Sequence, residues 1–193
     1  MRRERFPNCQ TTYHKRSDSN GLEHPVLISE RMARELSEEL VNEYWAAIQY
    51  TMVSAYFSRE ALPQLANLFR QQASEELMHA QKIVDYVTEA GGTVDVPAIP
   101  AGQADFDSVE EAVKLALDAE VRVAGIFNDL MDLAIEEHDH LARGFLQWFV
   151  DEQLEEVSTM DDLLKVVRRA GDNLLYVEDY VATRPPPAVA APQ

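Results

Sequence analysis

Glu76-x-x-His79 puts a carboxylate and an imidazole one turn apart on a single helical face. That spacing suits shared metal ligation or proton transfer, although Glu and His at i, i+3 are also common on solvated faces. Steps of three and four residues along the chain supply the context. One stripe reads Leu36, Leu40, Glu43, Ala47, Tyr50, Ser54, Phe57, and a second reads Leu65, Phe69, Gln72, Glu76, His79, Ile83, Tyr86. A third reads Val113, Leu117, Glu120, Ala124, Phe127, Met131, Ala134, and a fourth reads Phe145, Phe149, Glu152, Glu156, Met160, Leu163, Val167. Each stripe is apolar towards its ends and interrupted by a carboxylate near its middle. Four buried carboxylates at one level would repel one another, and each would cost several kcal/mol to desolvate. The stripes hold no Lys or Arg at that height, so a bound metal is the simplest resolution. Mainly carboxylate ligation with one imidazole suits iron or manganese rather than a thiolate-type zinc or copper site.

These stripes need long helices to carry them. The first is predicted from a cap at Ser29 to about Ser58, and the second from Pro63 to Gly91-Gly92. Residues 93–107, with Pro97, Pro100 and Gly102, read as a long connection. Ser108-x-x-Glu111 is a capping-box pattern that opens the third helix, which stops in Glu136-Glu137-His138-Asp139. The fourth helix runs from about His140 to Gly171, and a short amphipathic piece spans 173–183. In an antiparallel four-helix bundle, mid-helix positions fall at one level whichever way a helix points. Glu43, Glu76, His79, Glu120 and Glu156 therefore converge. The one long link gives an all-α bundle with a crossover between helices two and three.

The 193 residues suit one domain, with 34 Asp+Glu against 17 Lys+Arg and a net charge of −17. Such acidity argues against nucleic-acid binding. Residues 1–28 carry five Lys/Arg and three Asp/Glu, so the rest of the chain holds −19. Residues 1–28 read as a flexible extension, 29–183 as the bundle domain, and 184–193 as a flexible Pro/Ala-rich tail. The lone Cys9 excludes an intrachain disulfide framework and fits a reducing cytoplasm. No apolar run approaches the roughly 18 residues that a membrane span needs.

Over residues 30–183 the sequence resembles the non-haem bacterial ferritins, within the ferritin-like di-iron carboxylate family. The motifs are Asn42-Glu43 with Tyr50, Glu75-Glu76-x-x-His79, Glu120, and Phe145-Leu146-Gln147-Trp148-Phe149-Val150-x-Glu152-Gln153-x-Glu155-Glu156. The resemblance implies a di-iron ferroxidase centre that oxidises Fe(II) with O₂ and deposits ferric mineral inside a cage. In that reading Glu43, Glu76 and His79 hold the first iron, with Glu76 bridging, and Glu120 and Glu156 hold the second beside Gln153. Glu75, Glu152 and Glu155 match a third iron site of some bacterial members. Tyr50 and Trp148 match residues that neighbour the pair and serve as electron sources. The short fifth helix and a homo-oligomeric 24-mer are likewise implied by the resemblance.

The fourth-helix position that carries His in bacterioferritins and rubrerythrin-like proteins is here Gln153-x-x-Glu156. Leu77 stands where a bacterioferritin needs its haem-binding Met, so no haem is expected. The same carboxylates would also serve a di-iron or di-manganese oxidase acting on an organic substrate or peroxide. A non-catalytic helical interaction module is the third alternative.

Overall fold

Five helices and one short hairpin make up the computed structural model, which describes residues 14–17 and 23–183. The order is β1 (His14–Ser17), β2 (Glu23–Val26), α1 (Glu30–Arg59), α2 (Pro63–Glu89), α3 (Val109–Glu136), α4 (His140–Ala170) and α5 (Leu174–Thr183). The helix ends follow local chemistry. Ser29 accepts from the Met32 amide at 2.9 Å, Ser108 from Glu111, and Asp139 from Leu141 and Ala142, which satisfies first-turn donors at three helix starts. Glu111 completes the capping box by accepting from the Asp107 amide rather than from that of Ser108. Ser29 also donates to Glu137 at 2.6 Å, tying the start of α1 to the end of α3.

The start of α2 has no side-chain cap of its own, because Leu62 occupies the N-cap and Pro63 follows. The cap arrives from elsewhere. The Glu178 carboxylate on α5 accepts from the Gln64 and Leu65 amides, each at 2.9 Å, so α5 docks by an N-terminal carboxylate clamp.

The connection from 90 to 108 lies along α1. Asp95 N donates to Ser37 Oγ at 3.3 Å, Gln49 exchanges two bonds with the Gln103 backbone at 2.7 and 2.9 Å, and Arg59 reaches Asp105 at 2.8 Å. This path returns the chain to the far end of α1 before α3 begins. Helices α1 and α4 then run one way, with α2 and α3 antiparallel to them. Helix α1 packs on α2 and on α3, and α3 packs on α4.

The apolar core falls into two clusters. One holds Tyr50, Phe57, Phe69, Val113 and Met160, and the other holds Met32, Leu36, Ile83, Phe127 and Phe149. All ten side chains are buried, and each stabilises the fold by roughly 1.5–3 kcal/mol through burial. Between the clusters lies the level of the carboxylates.

Two short strands lie within residues 1–28. β1 and β2 pair antiparallel, with His14 opposite Val26 and Ser17 opposite Glu23. The Leu27 amide then donates to the Ala90 carbonyl at 2.7 Å, and Ile28 is buried. Gly91, at φ +80, closes the same contact, since a Cβ there would meet the Pro25 carbonyl at 2.6 Å. Four-residue strands carry too short a pattern to show a period of two. Cys9 and the 184–193 tail lie outside the described residues. No helix among the described residues is long and apolar enough to cross a membrane.

Candidate metal centre

Each of the four long helices contributes to one buried site. Glu43 comes from α1, Glu76 and His79 from α2, Glu120 from α3 and Glu156 from α4. All five are 1–5% exposed. Their ligand atoms form two overlapping groups, Glu43–Glu76–His79 and Glu76–Glu120–Glu156, each within 4.8 Å. Glu76 belongs to both. His79 Nδ1 lies 3.3 Å from Glu43 Oε2, 3.4 Å from Glu76 Oε2 and 3.9 Å from Glu156 Oε1. The imidazole is fixed edge-on to Trp148 at 5.4 Å and to Phe149 at 5.9 Å.

Two neighbours donate to the set from outside it. Tyr50 donates its hydroxyl proton to Glu120, and Gln153 donates to Glu156 and, at 3.5 Å, to Glu120. Five further ligand atoms are buried without a hydrogen-bond partner: both oxygens of Glu43, Glu76 Oε1, Glu156 Oε1 and His79 Nδ1. Native proteins rarely leave buried polar atoms unpaired, and these belong to the residues of the two ligand groups. A hard cation would supply the missing partner, and the donor set could hold iron.

The electrostatics lead to the same conclusion. Burial, and then the charge of a neighbouring carboxylate, holds Glu43, Glu76 and Glu156 well above the usual range. The neighbours are Glu39, Glu120 and Glu76 respectively. Burial also raises Glu120, against the hydrogen bonds from Tyr50 and Gln153. Burial pushes His79 down, but the carboxylates beside it, Glu76 first, outweigh that, and the net direction is up. Burial thus favours the protonated forms of these carboxyls, and a bound cation would favour the opposite.

Glu75, Glu152 and Glu155 share a cavity of about 560 Å³ between α2 and α4, whose wall also includes His79 and Glu156. The structure brings the three to one cavity but gives them no compact three-ligand group among the described residues. They are half-buried, and Gln72 already donates to Glu75. Burial, assisted by Glu155 and Glu75, raises Glu152 against the pull of His79. Trp148 lines the same cavity with Lys82 Nζ 4.4 Å above its ring.

Sequence reasoning missed Glu39. It is 1% exposed, its Oε2 accepts from Asn42 at 2.9 Å, and its Oε1 has no partner. Burial raises its carboxyl to about 8. The signal was present, because Glu39 lies three residues after Leu36 and four before Glu43. The stripe drawn through Leu40 passed it by.

The ferritin-like domain model matches residues 33–170. Ferritin BfrB of Mycobacterium tuberculosis (strain Erdman) is 40% identical over 156 residues, covering 81% of this chain and 86% of the relative. The equivalent match in another strain of that species bears the name bacterioferritin BfrB. The bacterial non-heme ferritin of Staphylococcus aureus (strain USA300) is 35% identical over 78% of this chain and 92% of the relative. Among solved structures, an open-pore ferritin from Archaeoglobus fulgidus superposes with a TM-score of 0.78 at 33% identity, covering 82% of this chain and 99% of that one.

Proposed function

The chain belongs to the ferritin family and is an iron-storage subunit, and from that premise we propose that it oxidises Fe(II) with O₂ at Glu43, Glu76, His79, Glu120 and Glu156. The observation that carries this reading is Glu76, shared between two buried three-ligand groups whose free oxygens have no other partner. Two Fe(II) ions held a few ångströms apart let O₂ accept two electrons at once. Glu76 sets the spacing as the bridge; Glu43 and His79 complete one site, and Glu120 and Glu156 the other. Tyr50 and Gln153 orient Glu120 and Glu156 through their hydrogen bonds and leave the opposite oxygen edges for the ions. The carboxyls lose protons as Fe(II) binds and regain them as iron departs. Phe149 and the two apolar clusters keep bulk water out.

Oxidised iron leaves through the α2–α4 cavity, where Glu75, Glu152 and Glu155 offer a third, looser set of oxygens. Tyr50, bonded to Glu120, and Trp148, 5.4 Å from His79, can each supply one further electron, which a further Fe(II) restores. The subunits assemble into a homo-oligomeric cage of 24 copies in the cytoplasm and store the ferric mineral inside. The bundle domain spans 29–183, with 1–28 and 184–193 outside it. No haem is bound, since Leu77 offers no thioether after Glu76.

A di-iron oxidase acting on an organic substrate is the second reading, favoured by Leu68, Met78 and Phe145 in the cavity wall. Size-exclusion chromatography with iron loading separates the two: a particle near half a megadalton that fills with iron supports storage. A small oligomer that binds only two metals supports the oxidase. Glu76→Ala and His79→Ala each abolish fast Fe(II) oxidation while the cage still assembles. Normal oxidation rates in both variants would sink the assignment.

A further inference from the structure

We propose that the groove between α1 and α3 is an Fe(II) uptake route in which Glu39 binds the ion before Glu43 receives it. The proposal rests on the reading of Glu43, Glu76, His79, Glu120 and Glu156 as the iron centre, and gives that centre a second opening. The pairings α1–α2, α1–α3 and α3–α4 put the α1–α3 and α2–α4 edges on opposite sides of the bundle. The cavity that includes His79 and Glu156 opens on the α2–α4 side. A groove of about 530 Å³ opens on the α1–α3 side, and its lining includes Glu35, Glu38, Glu39, Asn42 and Asp129.

Acidic side chains at a groove mouth are ordinary; Glu39 is not. It is buried among the groove-lining residues, with one carboxylate oxygen held by Asn42 at 2.9 Å and the other unpartnered. A buried oxygen of that kind is destabilising unless a proton or a cation meets it. The nearby cations are engaged elsewhere: Arg31 pairs with Glu136 at 3.2 Å, and Arg122, whose charge also acts on Glu39, lies over the Trp45 ring at 5.3 Å. Glu35 pairs with Arg34 at 3.4 Å, whereas Glu38 and Asp129 have no cationic partner among the described residues. The groove therefore offers a negative potential and hard oxygen donors, which select a hard dication. Glu39 and Glu43 are four residues apart on α1, so their Cβ atoms lie about 5–6 Å from each other. An ion on Glu39 thus reaches Glu43 by carboxylate rotation, as ligand exchange without redox change.

The test uses the full assembled protein, stripped of metal, with Co(II) as a probe that O₂ does not oxidise. Crystals soaked in Co(II) are expected to show anomalous peaks at the centre and at the Glu39 carboxylate. E39Q, which keeps the shape, loses the second peak and keeps the first. In stopped-flow oxidation, E39Q raises KM for Fe(II) about tenfold with kcat retained within about twofold, the scale of losing a supporting ligand. Absence of Co(II) from Glu39 in the wild type, or an unchanged KM in E39Q, overturns the proposal. Absence of Co(II) from Glu43, Glu76 and His79 overturns the centre, and this proposal with it.

Discussion

The Glu39 carboxyl makes a quantitative demand on the metal-free protein. Its folded value is raised from 4.5 to about 8, chiefly by burial. A carboxyl raised in the folded state lowers stability once the pH exceeds its unfolded value, and the loss stops growing above the folded value. At 1.36 kcal/mol per unit, the cost is about 1 kcal/mol at pH 5 and about 3 kcal/mol at pH 7, and it approaches about 5 kcal/mol above pH 8.5. E39Q removes the titration and leaves amide donors facing the unpartnered oxygens of Glu43. Metal-free E39Q is therefore more stable than wild type at pH 7. At roughly 2–4 °C per kcal/mol for a chain of this size, the gain in Tm is about 6–12 °C. Differential scanning calorimetry of both proteins between pH 5 and 8.5 measures it, with the gap widening as pH rises. A gap that stays flat with pH, or a wild type more stable throughout, refutes the reasoning.

Two further outcomes follow from named contacts. Since burial favours the protonated forms of Glu43, Glu76 and Glu156, Zn(II) binding at pH 7 is expected to release protons, in a measurable number per ion. Calorimetry in buffers of different ionisation enthalpy reads that number, and no buffer dependence argues against the burial of these carboxyls. Glu178→Ala removes both bonds to the Gln64 and Leu65 amides and costs about 1–2 kcal/mol in chemical unfolding. Hydrogen exchange is expected to show α5 loosening with it, and an α5 as protected as in wild type would mean that apolar packing alone holds the helix.

Local signals carried most of this architecture. The caps Ser29 and Ser108, the stop within residues 136–139, the break at Gly171 and the long Pro-containing connection each act within a few residues, so they are readable before any packing is known. The convergence of Glu43, Glu76, His79, Glu120 and Glu156 was also legible, because all four helices interrupt their apolar stripes at mid-height. What escaped was tertiary. Glu178 caps a helix 113 residues away, which nothing near either residue announces. The Leu27–Ala90 bond that seats the hairpin is equally remote. Glu39 keeps step with Leu36 and Glu43, yet on a helix rich in surface glutamates that spacing alone does not set it apart from them.

The division of the core into two clusters has a mechanical consequence. Apolar contact is dense at both ends of the bundle and interrupted at the level of Glu43, Glu76, Glu120 and Glu156. The plane where the four helices separate with least loss of apolar contact therefore passes through the centre itself. Ions held by those carboxylates, on the reading proposed above, would tie the four helices together at the one level where apolar contact does not.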